Sequence, residues 1–282
     1  MRALYDVPAP AKLNLFLHVL GRRADGMHLL QSAFMLVDWC DTLHFEVRDG
    51  AEISREDLGA PLPEDDLTVR AARALQAATG TQVGAHITVD KRIPSEAGMG
   101  GGSSDAASTL LALNRLWGTK LGRSQLAAIG QHLGADVPFF IGGRNAWVEG
   151  IGEKLTPIAL PRARFAVVKP PDGVQTARIF ADPGLNRSSP AAIITGFAAN
   201  PFAFGANDLQ PVAQRICPAV SEALQWLGAQ GLQGRMTGSG SAVFALLAPG
   251  QSPGAVPAEG WQARECSNVD VHPLAGWASS DD

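Results

Sequence analysis

Cysteine, lysine and tyrosine are scarce in this chain of 282 residues, and each scarcity rules against something. The three cysteines, Cys40, Cys217 and Cys266, are an odd, widely spaced set without a C-x-x-C pair. That pattern argues against a disulfide framework and a cysteine-rich zinc site, and makes a reducing cytoplasm the expected setting. No H-E-x-x-H and no His/Cys cluster marks a transition metal held by the protein. Net charge is −4, and only five of 23 basic residues are lysine. With one tyrosine and scattered tryptophans, the chain lacks the positive field and basic–aromatic interleaving of a nucleic-acid groove. No stretch approaches the roughly 18 uninterrupted apolar residues of a membrane span. Met1 to Leu13 holds no apolar block with a small-residue cleavage site, so no signal peptide is read there. Nucleic acid and membrane are therefore not expected as partners, and a monomer or weak homodimer is.

What is present is ample core, 46% hydrophobic against 18% charged residues, with 31 glycines in clusters. The apolar run at 13–20 reads as a strand, preceded by Pro8 and Pro10 and stopped by Gly21. Alternation marks strands at 43–47 and 85–90. Asp65 or Asp66 caps a helix that ends at Gly80. Helices are expected over 104–116 and 124–133, and a strand over 146–149. Beyond Pro157 come a strand at 165–168, helices over 208–216 and 219–229, and strands at 242–247 and 261–265, with 278–282 frayed. Strands and helices mix without regular βαβ alternation, which predicts an α+β fold of two abutting domains, 1–160 and 161–282.

The densest local signal is the segment from Lys91 to Ala107, KRIPSEAGMGGGSSDAA. Four glycines in five positions (98–102) remove the Cβ atoms that keep a ligand from the backbone, and permit positive φ. Ser103 or Ser104 is the expected N-cap of the following helix. A helix N-terminus offers free N–H groups and partial positive charge, so an anion such as a nucleotide phosphate belongs there. Two common nucleotide motifs are absent. There is no Gly-Lys dipeptide for a P-loop, and G-x-G-x-x-G fails because its last position is Ser103. The alternative is a flexible turn before a helix.

Four other features could carry chemistry, each with an ordinary reading beside it. Lys12 enters an apolar strand, either as a snorkelling edge residue or as a fixed cation, with Asn14 on the same side of the strand. Asp136, in GADVPFF, is either a turn-former or a catalytic carboxylate, costly to bury unless it is paired. His28, in DGMH, is either a polar loop residue or a ligand contact. A second glycine cluster, MTGSGS at 236–241, forms either a tight turn into a strand or another anion-accepting nest or lid.

Taken in order, PAKLNLFLHVLGRRADGMH, PSEAGMGGGSSDAAS, GADVPFFIGG and MTGSGSAVF resemble the GHMP small-molecule kinases across nearly the whole chain. Within that family they are most similar to the members that phosphorylate a cytidine-diphosphate derivative of methylerythritol. The resemblance implies an N-terminal domain of ribosomal-protein-S5-domain-2 type, a C-terminal ferredoxin-like domain and an active site in the cleft between them. It implies transfer of the ATP γ-phosphate to the 2-hydroxyl, with Mg2+ borne by the nucleotide and its protein ligands unknown. By the same resemblance Asp136 is the catalytic base and Lys12 its partner cation. Pro94, Ala97, Gly98, Met99, Gly100, Gly101, Gly102, Ser103 and Ser104 form the ATP phosphate loop. Asn14, Met27, His28, Thr176 and Phe180 contact the cytidyl substrate. Two positions depart from the family pattern. Met27 stands where D-G-Y-H has tyrosine, which weakens base stacking, and Asp66 stands where an Asn-Leu pair meets the adenine. A homoserine- or mevalonate-type acceptor, or a nucleotide-binding relative without catalysis, would share the glycine loop. The first would lack the D-G-x-H and T-x-x-x-F segments, and the second would lose Lys12 and Asp136.

Overall fold

A computed structural model describes residues 1–256 and 258–279. The chain opens with two long antiparallel strands, β1 (Ala3–Arg22) and β2 (His28–Arg48), joined by the turn that carries Met27. There follow β3 (Ile53–Leu58), α1 (Leu67–Thr79), β4 (Gly84–Asp90), α2 (Gly101–Trp117), α3 (Arg123–Leu133), α4 (Val137–Gly142), β5 (Ala146–Glu149) and β6 (Lys154–Pro157). The second half holds β7 (Arg164–Lys169), α5 (Thr176–Ala181), α6 (Ile194–Ala199), α7 (Gln210–Ile216), α8 (Pro218–Ala229), β8 (Arg235–Met236), β9 (Val243–Leu247) and β10 (Gln262–Val269). The fold is α+β, as the mixture of patterns predicts. Among the described residues no helix is long and apolar enough to cross a membrane.

The strands run β3-β4-β2-β10-β7-β9-β8, with β1 and β5 also on β2, and β6 on β5. Strand β10 joins the halves: residues 262–267 pair with β7, whereas Asn268 and Val269 pair with β2. One apolar core packs β2 and β4 against α1, α2 and α4, and a second packs β7 and β9 against α7 and α8. A third lies between them, around Leu13, Phe16, Met35, Phe165 and Phe244. After β10 the chain returns to the first core, where Leu274 and Ala278 are buried. The fray expected from 278 therefore does not begin at Ala278, and its last three positions, 280–282, lie outside the described residues.

Three differences from the sequence reading have physical causes that bear on the site. Strand β1 runs through Pro8 and Pro10 instead of starting after them. Its outer edge is covered by α2, whose Ser104 and Ser108 hydroxyls donate to the carbonyls of Pro10 (2.6 Å) and Pro8 (3.1 Å). A proline on such an edge costs no ladder bond, because its missing N–H faces away from the paired strand. Helix α2 begins at Gly101 with Gly100 as its N-cap, not at Ser103 or Ser104. Gly100 takes φ 72°, and a Cβ there would lie 3.1 Å from the Phe140 ring and 3.2 Å from Lys12 Cε. Asp136 is followed by a helix the sequence did not reveal, α4, with Pro138 in its first turn, where a proline breaks no bond.

Candidate active site

A cavity of about 1200 Å3 opens between the two halves of the molecule. Its walls come from β1, the turn after it, the glycine segment before α2, the start of α4, helix α5 and the second glycine cluster. The fold brings Lys12 and Asp136 together here, with Lys12 Nζ 3.3 Å from Asp136 Oδ2. The ammonium also donates to Asn14 Oδ1 at 2.6 Å and sits 4.7 Å from the centre of the Phe34 ring. Lys12 is 4% exposed. A cation that deep needs partners, and the carboxylate, the amide oxygen and the ring face supply them. Asn14 is fixed in turn, its amide nitrogen donating to Ser32 Oγ (3.0 Å) and its backbone N–H to Thr237 Oγ1 (2.9 Å).

The glycine segment meets Lys12 through its backbone, Lys12 N–H donating to Met99 O at 2.9 Å. Gly98 has φ 70°, and a Cβ on it would stand 2.2 Å from the Thr237 carbonyl oxygen. Gly238 has φ 52°, and a Cβ there would stand 2.6 Å from the Gly98 oxygen. The two glycine clusters thus interlock backbone to backbone, sealed by Ser241 N–H to Glu96 O and Ala242 N–H to Ala97 O. Each needs glycine because the other is there. The amide of Ser104 is bonded to Gly100 O, so the free donors at the head of α2 are those of Gly101, Gly102 and Ser103.

Behind these amides, Lys91 Nζ donates to Asp105 Oδ2 at 2.6 Å and also reaches Asp41. Asp41 Oδ1 accepts the N–H groups of Arg92 and Ile93, which fixes the entry to the loop. Burial pushes the Asp105 carboxyl up to about 8, Lys91 pulls it the other way, and the Asp41 charge adds to the rise. At the far end of the cavity His28 lies 4.8 Å from Phe180, ring centre to ring centre. Burial lowers the His28 pKa, and the charges of Arg187 and Arg22 lower it further. Among the described residues, no group of three or more His, Cys, Asp and Glu side chains is gathered as a metal site. The acidic side chains on the cavity wall are Asp66, Glu96, Asp105 and Asp136.

The family pattern for the GHMP kinases N terminal domain matches residues 66–144, and that for the GHMP kinases C terminal region matches 191–259. The chain belongs to the GHMP kinase family. The N-terminal match spans α1, the glycine segment and Asp136; the C-terminal match spans the second glycine cluster. A 4-diphosphocytidyl-2-C-methyl-D-erythritol kinase of Albidiferax ferrireducens is 64% identical over 281 residues, covering 100% of this chain and 98% of its own. One of Variovorax paradoxus is 62% identical over 296 residues, covering 99% of this chain and all of its own. A crystal structure of 4-(cytidine 5'-diphospho)-2C-methyl-D-erythritol kinase superposes with a TM-score of 0.74 at 33% identity, covering 93% of this chain and 98% of that one. A homoserine kinase of Cytophaga hutchinsonii, at a TM-score of 0.68 and 16% identity, shares the fold.

In this kinase Lys12, Asn14, Met27, His28, Asp66, Pro94, Ala97 to Gly102, Asp136, Thr176 and Phe180 all line the one cavity. The expected phosphate-loop residues Ser103 and Ser104 are not on its wall. The Ser104 side chain is spent on Pro10 O and its amide on Gly100 O, which removes it from the loop's donors. Asp66 reaches the wall as the cap of α1, with its Oδ1 accepting from Val69 N–H, Thr68 Oγ1 and Arg55 Nη1. That carboxylate oxygen is committed to the protein. Sequence reasoning missed Asp41, Lys91 and Arg187. Lys91 lay within the quoted glycine segment, whereas Asp41 and Arg187 carry no local signal, and only the fold brings them to the site.

Proposed function

We propose that this chain phosphorylates the 2-hydroxyl of 4-diphosphocytidyl-2-C-methyl-D-erythritol with ATP, giving the 2-phosphate and ADP, in the non-mevalonate isoprenoid pathway. The observation that carries this reading is the pairing of buried Lys12 with the part-exposed Asp136 at 3.3 Å, facing the same cavity as the head of α2. The names and full-length similarity of the relatives support the substrate. Phosphoryl transfer needs an aligned acceptor, charge neutralisation and a group to take the proton. Asp136 takes the proton of the 2-hydroxyl, whose oxygen bonds to the γ-phosphorus as the bond from that phosphorus to the bridging oxygen breaks and ADP leaves. Lys12 holds the Asp136 carboxylate in place and offsets the negative charge that builds on the transferring group. The amides of Gly101 and Gly102 on the cavity wall, with the positive end of α2, hold the phosphates, and Mg2+ arrives on the nucleotide as part of the substrate.

The cytidine end lies against Met27, His28, Thr176 and Phe180. Met27 packs on the base through its polarisable sulfur, but its flexible chain is a poorer platform than an aromatic ring. We place the enzyme in the reducing cytoplasm as a monomer or weak homodimer, in keeping with its three free cysteines. Purified protein, Mg2+ and ATP should turn over with the cytidyl substrate and not with mevalonate or homoserine. Turnover with either control instead would overturn the assignment.

A further inference from the structure

The Arg187 side chain makes four hydrogen bonds and leaves itself little freedom. Nη2 donates to the carbonyls of Phe180 and Asp182, both at 2.8 Å, and Nη1 to Leu185 O at 3.1 Å. The Nε–H points at His28 Nε2 at 3.1 Å. A guanidinium can only donate, so Nε2 must offer its lone pair. The ring is then neutral, and its one proton sits on Nδ1. The same guanidinium holds the backbone of Phe180, whose ring lies beside His28 on the cavity wall.

We propose that Arg187 is a positioning residue that locks His28 in the neutral, Nδ1-protonated form, so that the pocket selects a pyrimidine offering an acceptor to this donor. This rests on the reading of the cavity as a cytidine-diphosphate site. Cytosine carries an acceptor at N3, where uracil carries N–H. A ring with a fixed donor therefore favours the first and leaves the second with two donors face to face. The charged neighbours agree with a neutral ring. Burial disfavours a proton on His28 most, and Arg187 on the segment after α5 and Arg22 on β1 add to it. The carboxylate on its own turn, Asp25, is occupied by Arg23 at 2.8 Å and by the Met27 N–H at 3.1 Å. On the Arg187 side, the Asp182 carboxylate is taken by Arg215 at 2.6 Å.

Long-range proton–nitrogen NMR of the ligand-free protein, with His28→Gln assigning the signal, reads the tautomer without substrate. At pH 7 the result expected is a protonated Nδ1 and a bare Nε2. A protonated Nε2 or a charged ring overturns the proposal. In Arg187→Met, His28 should titrate at a higher pH than in the native protein, although burial and Arg22 still disfavour its charged form. Calorimetry with CDP and UDP reads the base preference, which should fall about tenfold in the variant, the worth of one hydrogen bond to a charged or buried partner. It should also become pH-dependent between 6 and 8. A variant that weakens CDP and UDP equally at every pH marks Arg187 as a strut, and overturns the proposal. CDP preference without turnover of the cytidyl-methylerythritol substrate would sink the functional reading alone.

Discussion

Lys12 and Asp136 divide their exposure unequally: the lysine side chain is 5% exposed and the aspartate 28%. The cation is thus part of the protein's interior, while the carboxylate faces the cavity where a hydroxyl can reach it. That division agrees with the proposed proton transfer at Asp136 and the proposed orienting role of Lys12. Asp136→Asn keeps the shape and removes the base, so kcat should fall by about 10²–10⁴ with little change in ATP affinity, the usual size of a general-base loss. A variant with near-normal kcat in steady-state assay would reduce Asp136 to a positioning role. Met27 is 47% exposed beside His28 and has room for a larger ring. Met27→Tyr should lower KM for the cytidyl substrate several-fold, given about 0.5–1.5 kcal/mol for a stacked aromatic pair; an unchanged KM contradicts the stacking argument. At this scale the sequence was most readable where chemistry is local. PAKLN puts Lys12 and Asn14 on one face of a strand by period alone. That Asp136 lies beside them is a fact of the fold, and no spacing rule reaches it.

Between elements, the interlocked glycine clusters decide how the head of α2 is presented. Gly98 and Gly80 share nearly the same backbone conformation, φ 70° and 68°, but only Gly98 has another backbone against it. Gly80→Ala meets nothing within 4 Å and should cost about 1–2 kcal/mol of stability, the penalty of a left-handed alanine. Gly98→Ala adds a methyl 2.2 Å from Thr237 O and should cost clearly more, with ATP affinity falling as the two loops separate. Equal denaturant midpoints for the two variants would show that the loops are not coupled. The glycine run pointed to an anion site in the sequence, but it hid the start of the helix. Serine is a good cap in general, and Ser104 does cap a group here, the Pro10 carbonyl on the neighbouring strand. Long β1 and β2 were also read too short. Buried on both faces over 9–17 and 31–37, those stretches show no alternation, and only the second half of β2, at 43–47, alternates.

At the scale of the whole molecule, the chain's last described stretch ties the second half back to the first. His272 N–H donates to Gly143 O at 2.9 Å, its Nδ1 accepts from Leu274 N–H at 3.0 Å, and Arg123 donates its backbone N–H to Ser279 O at 3.1 Å and its side chain to Ala275 O. Burial lowers His272 to about 4, and Arg123 adds to the shift. A depressed histidine contributes stability that is intact above its unfolded pKa of about 6.5 and is lost as pH falls towards 4. Between pH 7 and 4.5 this one group should remove about 2–3 kcal/mol. His272→Asn keeps an acceptor for Leu274 without a titrating ring, so its urea-denaturation stability should fall less over that range. Parallel pH curves for the two proteins would show that His272 does not hold the terminus. Nothing in the sequence near His272 signals this return, because the contacts that bury it come from α3 and the loop after α4. The α+β class was readable from pattern alone; the joining of both halves through β10 and the returning terminus was not.

The proposed reaction moves one phosphoryl group to a particular hydroxyl of a cytidine-diphosphate alcohol. Phosphorus NMR of the product, formed from ATP and 4-diphosphocytidyl-2-C-methyl-D-erythritol, tests it most directly. The product should carry one new phosphomonoester on the 2-position and an intact diphosphate bridge, with one ADP formed for each product molecule. A phosphate on another hydroxyl, or ATP hydrolysis without a phosphorylated alcohol, would contradict it.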